Sequence, residues 1–203
     1  MDNFLHLPIE KQNKIIEAAL SLFGQNGYKK ASVGDIAKAA GIAKGMVFYY
    51  FGSKKELYLF LCNYCIDIVK TEIMAQDGIN IPDYFERMLF FSKVKLEMMR
   101  RHPYILSFVT KLRKESDPEI AEELKELFAQ NKSAWMPYTF EGVDISKFRE
   151  GVDVKLVSKM IMWMAEGIGA QIERGADTDM DKIIDDFYSV MELMKNNLYI
   201  GGL

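Results

Sequence analysis

The sequence predicts an all-α protein of about nine helices, with a small three-helix head at the N-terminus joined to a larger helical body. Three observations carry this. Apolar residues recur at helical spacing from residue 9 almost to the end, and no stretch alternates as a half-buried strand does. Only five prolines occur in 203 residues, and they fall at breaks in that pattern. At 49% hydrophobic and 27% charged residues, the chain has enough apolar material for one or two compact cores. No internal repeat or low-complexity segment interrupts it.

Pro8 suits the first turn of a helix whose face is Ile15, Ala19, Leu22 and Phe23, widened by Ile16 and Leu20 and ended by Gly27. Ser32 precedes Ile36, Ala37 and Ala40, with Asp35 three residues on, a variant of the capping box that starts a second helix. Gly41 ends it, because glycine accepts the left-handed conformation of a helix stop. A third helix resumes at Lys44, Gly45, Met46 and Val47, runs into the aromatics at 48–51, and is broken by Gly52. Two short helices about a glycine turn make a helix-turn-helix, closed over a core of Ile36, Ala40, Val47 and Phe51. Ser53 and Glu56 form a second capping box. The helix they open runs through Leu57, Leu61, Cys65, Ile68 and Val69 towards Met74, long enough to link head to body.

In the body, Asp77, Gly78 and residues 80–82 mark a break before a helix from about Asp83 to Arg101. His102-Pro103 stops it, and a shorter helix follows through Ile105, Phe108, Val109 and Leu112. Asp117 as N-cap and Pro118 in the first helical position open a helix to about Trp135. Residues 137–152, with Pro137, Gly142 and Gly151, form the least regular stretch. Asp153 caps a helix to Arg174, ended by Gly175, and a final helix spans about Thr178 to Leu198. The run Met160–Ala165 is continuously apolar, so this next-to-last helix needs cover on more than one side.

Net charge is −3 overall, which does not advertise a polyanionic partner, but its distribution is uneven. Residues 1–56 hold eight lysines and five acids, leaving the basic excess in the helix-turn-helix and −6 in the remainder. Lys54 and Lys55 stand in a helix's first turn, where they oppose the macrodipole, a placement that calls for a nearby anion such as a nucleic-acid phosphate. Cys62 and Cys65 lie three apart on a helix. With His6 and His102 far off in sequence, no zinc site is expected and buried, reduced thiols are. No metal or cofactor is expected. The N-terminus MDNFLHLPIE lacks a basic region followed by an apolar core, and no apolar run approaches the ~20 residues of a membrane helix, so the expected location is cytoplasmic, without a membrane partner.

The residues S-V-x-D-I-A-x-x-A-G-I-A-x-G-x-V-F-x-Y-F-x-S-K-x-E-L resemble the DNA-binding signature of the TetR (tetracycline-repressor) family of transcriptional regulators. The resemblance runs without a gap from about Ile9 to Leu61, while the rest of the chain is similar only in helix layout. It implies a DNA-binding domain over residues 1–52, with the signature reaching into the linking helix, and an effector-binding and dimerisation domain over 53–203. It further implies a ligand-responsive repressor that binds a palindromic operator in double-stranded DNA as a homodimer. Within it, the helix from Lys44 to Tyr50 enters the major groove, where Lys44 can donate to guanine, Gly45 lets the backbone approach, and Met46 can touch a thymine methyl. Ser32, Tyr49, Tyr50 and Lys54 are expected to hold phosphates. The chain departs from the family in lacking a Ser or Thr cap at Ala43, in having Phe48 in place of a tyrosine, and in carrying Gly34 where some members have a long contacting side chain.

The last two helices carry the expected dimer face, with Gly167, Gly169 and Ala170 on one and Ile183, Phe187, Val190, Met191 and Met194 on the other. An apolar small-molecule effector, of unknown identity, is expected in the body. Its candidate walls are Met88, Phe91, Phe108, Phe128, Trp135, Met162 and Trp163, with Tyr64, Lys95 and Glu166 as polar anchors. Two other classes stand beside this reading. An enzyme would have to work with scattered acids such as Glu97 or Glu166, since the sequence has no nucleophile elbow, phosphate loop or carboxylate–histidine cluster. A structural helical protein leaves the lysines beside the glycine turn without a role.

Overall fold

The computed structural model describes residues 2–76, 80–174 and 180–201, with the side chains of 99, 132–136, 170, 172–174 and 180 outside that description. The expected breaks at Asp77, Gly78, Gly175 and Thr178, and the side chains of Trp135 and Ala170, lie outside the described residues. Among those described the chain forms ten α-helices, one 3-10 turn and no strand. They are α1 (Asp2–Leu5), α2 (Ile9–Lys30), α3 (Val33–Ala40), α4 (Lys44–Phe51), α5 (Lys54–Ala75), α6 (Tyr84–Arg101), α7 (Pro103–Leu112), α8 (Ala121–Phe140), α9 (Val154–Arg174) and α10 (Met180–Leu198). The chain divides into two compact units, one of Met1–Ala75 with Val94–Ala134, the other of Gln76–Lys93 with Trp135–Leu203.

The first unit is built on the apolar stripe of α2, where Ile15, Ile16, Ala19, Leu20 and Phe23 are buried against α3, α5 and α7. Gly24 sets how closely α2 and α7 pack, because a Cβ there would lie 2.9 Å from the Phe108 backbone nitrogen. Helix α2 does not stop at Gly27, as expected. It kinks there (φ 71, ψ 176) and resumes to Lys30. Helix α1 was not foreseen. Its Phe4 is fully buried, with ring centroids 4.7 Å from Phe51, 5.4 Å from Phe60 and 6.1 Å from Tyr50. Four residues give too short a period to read, so only the tertiary contact reveals the element.

The second unit centres on Tyr84, Phe85, Phe148, Val157, Ile161, Met191 and Tyr199. The buried carboxylate of Asp83 caps α6 by accepting from the Glu86 amide (3.1 Å), and also accepts from the Tyr199 hydroxyl (3.2 Å) and the Lys147 ammonium (3.0 Å). Residues 147–149 are tied to the C-terminal stretch by Arg149 N–H to Leu198 O (2.8 Å) and Ile200 N–H to Lys147 O (2.8 Å). Helix α8 passes through Pro137, where a stop was expected, and ends at Phe140. The buried Arg87 guanidinium explains how the turn beyond the proline survives: it donates to the Tyr138 carbonyl (3.1 Å) and the Glu141 carbonyl (2.7 Å), supplying cationic donors to carbonyls at a helix C-terminus.

No helix among the described residues is long and apolar enough to cross a membrane. Cys62 and Cys65 are both buried and free, and burial pushes the Cys65 thiol up to about 12 and the Cys62 thiol higher still. They are packing residues, since the reactive form is the thiolate.

Candidate nucleic-acid interface

Helix α3 begins at Ser32, whose hydroxyl accepts from the amides of Gly34 (3.2 Å) and Asp35 (3.4 Å). It ends at Gly41 in the left-handed region (φ 69, ψ 32), with Ile42 N–H bonded to Ala37 O (2.9 Å) and Gly41 N–H to Lys38 O (3.2 Å), the paired bonds of a Schellman stop. Ile42 packs back on the core, which fixes the angle at which α4 leaves the turn. On α4, Val47, Tyr50 and Phe51 point inward. Lys44, Gly45, Phe48 and Tyr49 are exposed, and a Cβ on Gly45 would meet nothing within 4 Å. Tyr49 is 60% exposed, its ring tilted 5.6 Å from that of Tyr50, an unusual place for a large aromatic.

The outward face differs from the expected one at two positions. Tyr50, expected at a phosphate, is 7% exposed, and its ring packs edge-on to Phe4 and Phe51 in the head's core. Met46 is half-buried against the same core, and Phe48 takes the outward apolar position instead. Residue 48 follows the inward-facing Val47 at a helical step of about 100°, which a pattern of nearly continuous aromatics conceals. Ala43 occupies the N-cap of α4 with no side-chain cap, as its chemistry requires.

The two lysines that open α5 are held differently. Lys54 lies over the Tyr28 ring, 4.7 Å from its centroid, and donates to the Lys29 carbonyl (3.2 Å). Lys55 is ion-paired with Glu123 of α8 and donates to the Glu119 carbonyl (3.4 Å). That pairing raises the Lys55 pKa and lowers that of Glu123. The anion called for by lysines in a first turn is therefore supplied, for Lys55, by the chain itself. Tyr28 N–H donates to the Glu115 carboxylate (2.9 Å), and the Tyr28 hydroxyl, buried without a hydrogen-bond partner among the described residues, is pushed up by burial and by the nearby Glu119 carboxylate. Glu115 and Glu123 lie 87 and 68 residues from their partners, too far for any sequence spacing to show.

The other candidate residues are dispersed. In the first unit, Phe108 is core, edge-on to Tyr58 (5.1 Å) and Phe23 (6.4 Å). Phe128 is exposed, while Tyr64 stacks on Phe60 (6.3 Å) with its hydroxyl raised by burial. Lys95 is exposed. In the second unit, Phe91 is buried and Met88 is half-buried against the core. Met162 and Trp163, expected as pocket walls, and Glu166, expected as a polar anchor, are exposed. Of the expected dimer face, Met191 is fully buried, and Phe187 and Met194 pack on the same core. Gly167 and Val190 are exposed, and Gly169 and Ile183 half-buried. The uncovered apolar residues are Leu156, Met160, Met162 and Trp163 on α9 and Val190 and Leu193 on α10, so the exposed face overlaps the expected one at Val190 and at the open Gly167. A groove of about 190 Å³ between α9 and α10 is lined by Met164, Ile168, Ile183, Phe187 and Val190 among others.

Residues 15–60 match the family described as bacterial regulatory proteins, tetR family. Over 65 residues the chain is 48% identical to an uncharacterized helix-turn-helix-type transcriptional regulator, YuxN, of Bacillus subtilis, a stretch that is 32% of this chain and 22% of that protein. Over 158 residues it is 27% identical to the fatty acid metabolism regulator protein of Bacillus subtilis, covering 74% of this chain and 77% of the other. Its fold is shared with the crystal structure of the Bacillus subtilis regulator FadR in complex with stearoyl-CoA, with a TM-score of 0.70 at 22% identity over 94% of this chain and 98% of that one. The matched segment is the one that builds the Ser32-capped α3, the Gly41 turn and the outward face of α4, and over it the chain carries the DNA-binding segment of the tetR family of bacterial regulatory proteins.

Proposed function

We propose that this protein is a cytoplasmic transcriptional repressor that binds a palindromic operator as a homodimer and releases it when an apolar small molecule occupies its body. The observation that carries the reading is the outward face of α4, where Lys44, Gly45, Phe48 and Tyr49 stand uncovered at the end of a rigid turn. A lysine at the start of such a helix donates to guanine O6 or N7, an apolar ring meets thymine methyls, and a glycine admits the backbone to the groove. Ser32 and Lys54 lie at the starts of α3 and α5, and Tyr49 on the outward face of α4, and all three suit phosphates, which fix register rather than sequence. Residues 1–52 are then the DNA-binding domain, and 53–203 carry dimerisation and effector binding. No step of this function needs a catalytic group.

Two copies meet through the apolar row on α9 and α10, whose exposed Trp163 and Leu193 favour burial against an identical surface. The effector is a long-chain acyl thioester. This is supported by the likeness, over three quarters of the chain, to a fatty acid metabolism regulator, and by the fold shared with a regulator solved with stearoyl-CoA. Such a ligand shifts DNA affinity only by its differential affinity for the DNA-bound and free arrangements. Selection from a random duplex pool tests the reading: a palindrome with half-sites about one helical turn apart is expected. Stearoyl-CoA should then weaken binding to the selected duplex roughly 5- to 150-fold. No enrichment would sink the DNA-binding reading, and binding of stearoyl-CoA with no change in DNA affinity would sink the switch.

A further inference from the structure

We infer that Glu115, on the turn after α7, is a positioning residue for DNA binding: by holding the Tyr28 amide it keeps the Tyr28 ring beneath the Lys54 ammonium, presenting that charge to a phosphate. This rests on the DNA-binding reading above and adds a residue outside the helix-turn-helix to it.

The arrangement starts at Gly27. Its non-helical backbone (φ 71, ψ 176) interrupts α2, so the amide that follows, on Tyr28, leaves the ordinary helical ladder and needs another acceptor. Glu115 supplies it at 2.9 Å through one carboxylate oxygen. The other oxygen accepts from the amides of Ser116 and Asp117, each at 3.0 Å, so the carboxylate is fixed at its own end as well. The Tyr28 ring is then clamped among aromatics, stacked 6.4 Å from Phe23 and edge-on 5.2 Å from Tyr58. Lys54 rests on the free side of this ring at 4.7 Å and is anchored to the Lys29 carbonyl.

A lysine side chain is long and flexible, and fixing it at a phosphate sacrifices rotamer freedom. A ring face and a carbonyl that already hold the ammonium remove most of that loss before DNA arrives. A carboxylate placed only to stabilise the fold would leave the phosphate contact indifferent to its removal. Here the chain of contacts runs from Glu115 through Tyr28 to Lys54 without a gap.

The test is the salt dependence of binding to the duplex that the wild-type chain selects from a random pool. A phosphate contact contributes about 0.9 to the slope of log affinity against log salt. Lys54→Ala and Glu115→Ala should each lower the slope by about that amount per subunit. The double variant should lose no more than either alone. Tyr28→Phe, which keeps the ring, should retain the wild-type slope. Tyr28→Leu removes the ring with Glu115 intact and should reproduce the loss, so the inference is decided even if Glu115→Ala proves too unstable to assay. An unchanged slope in Tyr28→Leu, or additive losses in the double variant, would overturn it. A wild-type chain that selects no duplex would remove the DNA-binding reading itself and this inference with it, an outcome distinct from any variant's behaviour.

Discussion

The ammonium of Lys55 and the carboxylate of Glu123 form an ion pair that joins the first turn of α5 to α8. Both side chains remain a third or more exposed, so the pair contributes little to folding stability. Its greater effect is to occupy a cation beside the candidate phosphate contact Lys54. Glu123→Gln should leave the melting temperature nearly unchanged and steepen the salt slope of DNA binding by about one per subunit, as a freed lysine finds a phosphate. Salt titrations on non-operator and selected duplexes check this, and an unchanged slope in both would show that Lys55 does not face DNA. Because the Glu123 pKa is lowered, the pair persists through the neutral range and is lost only as pH falls through that lowered value.

Lys44 is the one cation on the outward face of α4. Lys44→Ala should cost about 1–3 kcal/mol of specific affinity and relax the base preference at one position in each half-site. Repeating the sequence selection with the variant measures this. A uniform loss across sequences would assign Lys44 to the backbone instead.

The exposed and the buried apolar residues of the last two helices should respond in opposite ways to charge. Trp163→Asp and Leu193→Asp, at 56% and 63% exposure, should yield folded monomers that no longer hold an operator with half-sites about 34 Å apart. Met191→Asp, by contrast, buries an unpaired carboxylate in the unit's own core and should unfold it. Sedimentation and helical content by circular dichroism separate the two outcomes. Dimers that persist in both surface variants would place the subunit contact elsewhere.

Asp83 gives the second unit a pH dependence of predictable sign. Burial alone raises its pKa, but the Glu86 amide and the ammoniums of Lys147 and Lys195 more than offset that and hold it below the ordinary carboxylate value. A lowered pKa in the folded state contributes stability above the unfolded value, near 4, and loses it as pH falls through the folded one. Asp83→Asn should cost about 1–3 kcal/mol at pH 7, the range for disrupting a buried hydrogen-bonded group. It should also flatten the acid limb of a melting-temperature profile between about pH 5 and 2. An acid limb that stays as steep as in the wild type would mean that other carboxylates set it.

The helix order was legible because apolar spacing, capping residues and stop glycines act locally. Ser32, Gly41 and Gly52 therefore stand where their side chains, or the lack of them, require. What escaped was set by distant contacts. Pro137 should end a helix by local rules, and Arg87, 50 residues earlier, keeps the chain helical past it. On α4 the signature marked the reading helix, but Tyr50 and Phe48 differ only in which way a full turn of aromatics is rotated. On α10 the stripe Phe187, Met191 and Met194 read as an apolar face, and pattern alone cannot say whether the same chain or a second copy covers it. The clamp on Lys54 depends on Glu115, which has no neighbour in sequence to betray it.

Phe4 plugs the head from a four-residue helix that precedes the stretch matching the family. A DNA-binding fragment begun at Pro8, where the long amphipathic pattern starts, would be missing a ring that three other aromatics surround. Removing a buried phenylalanine costs about 3–5 kcal/mol. Since small domains have only about 5–15 kcal/mol to lose, a trimmed head would be prone to melt at working temperature. In practical terms, α1 is part of the head's own fold, with Phe4 as a member of its core.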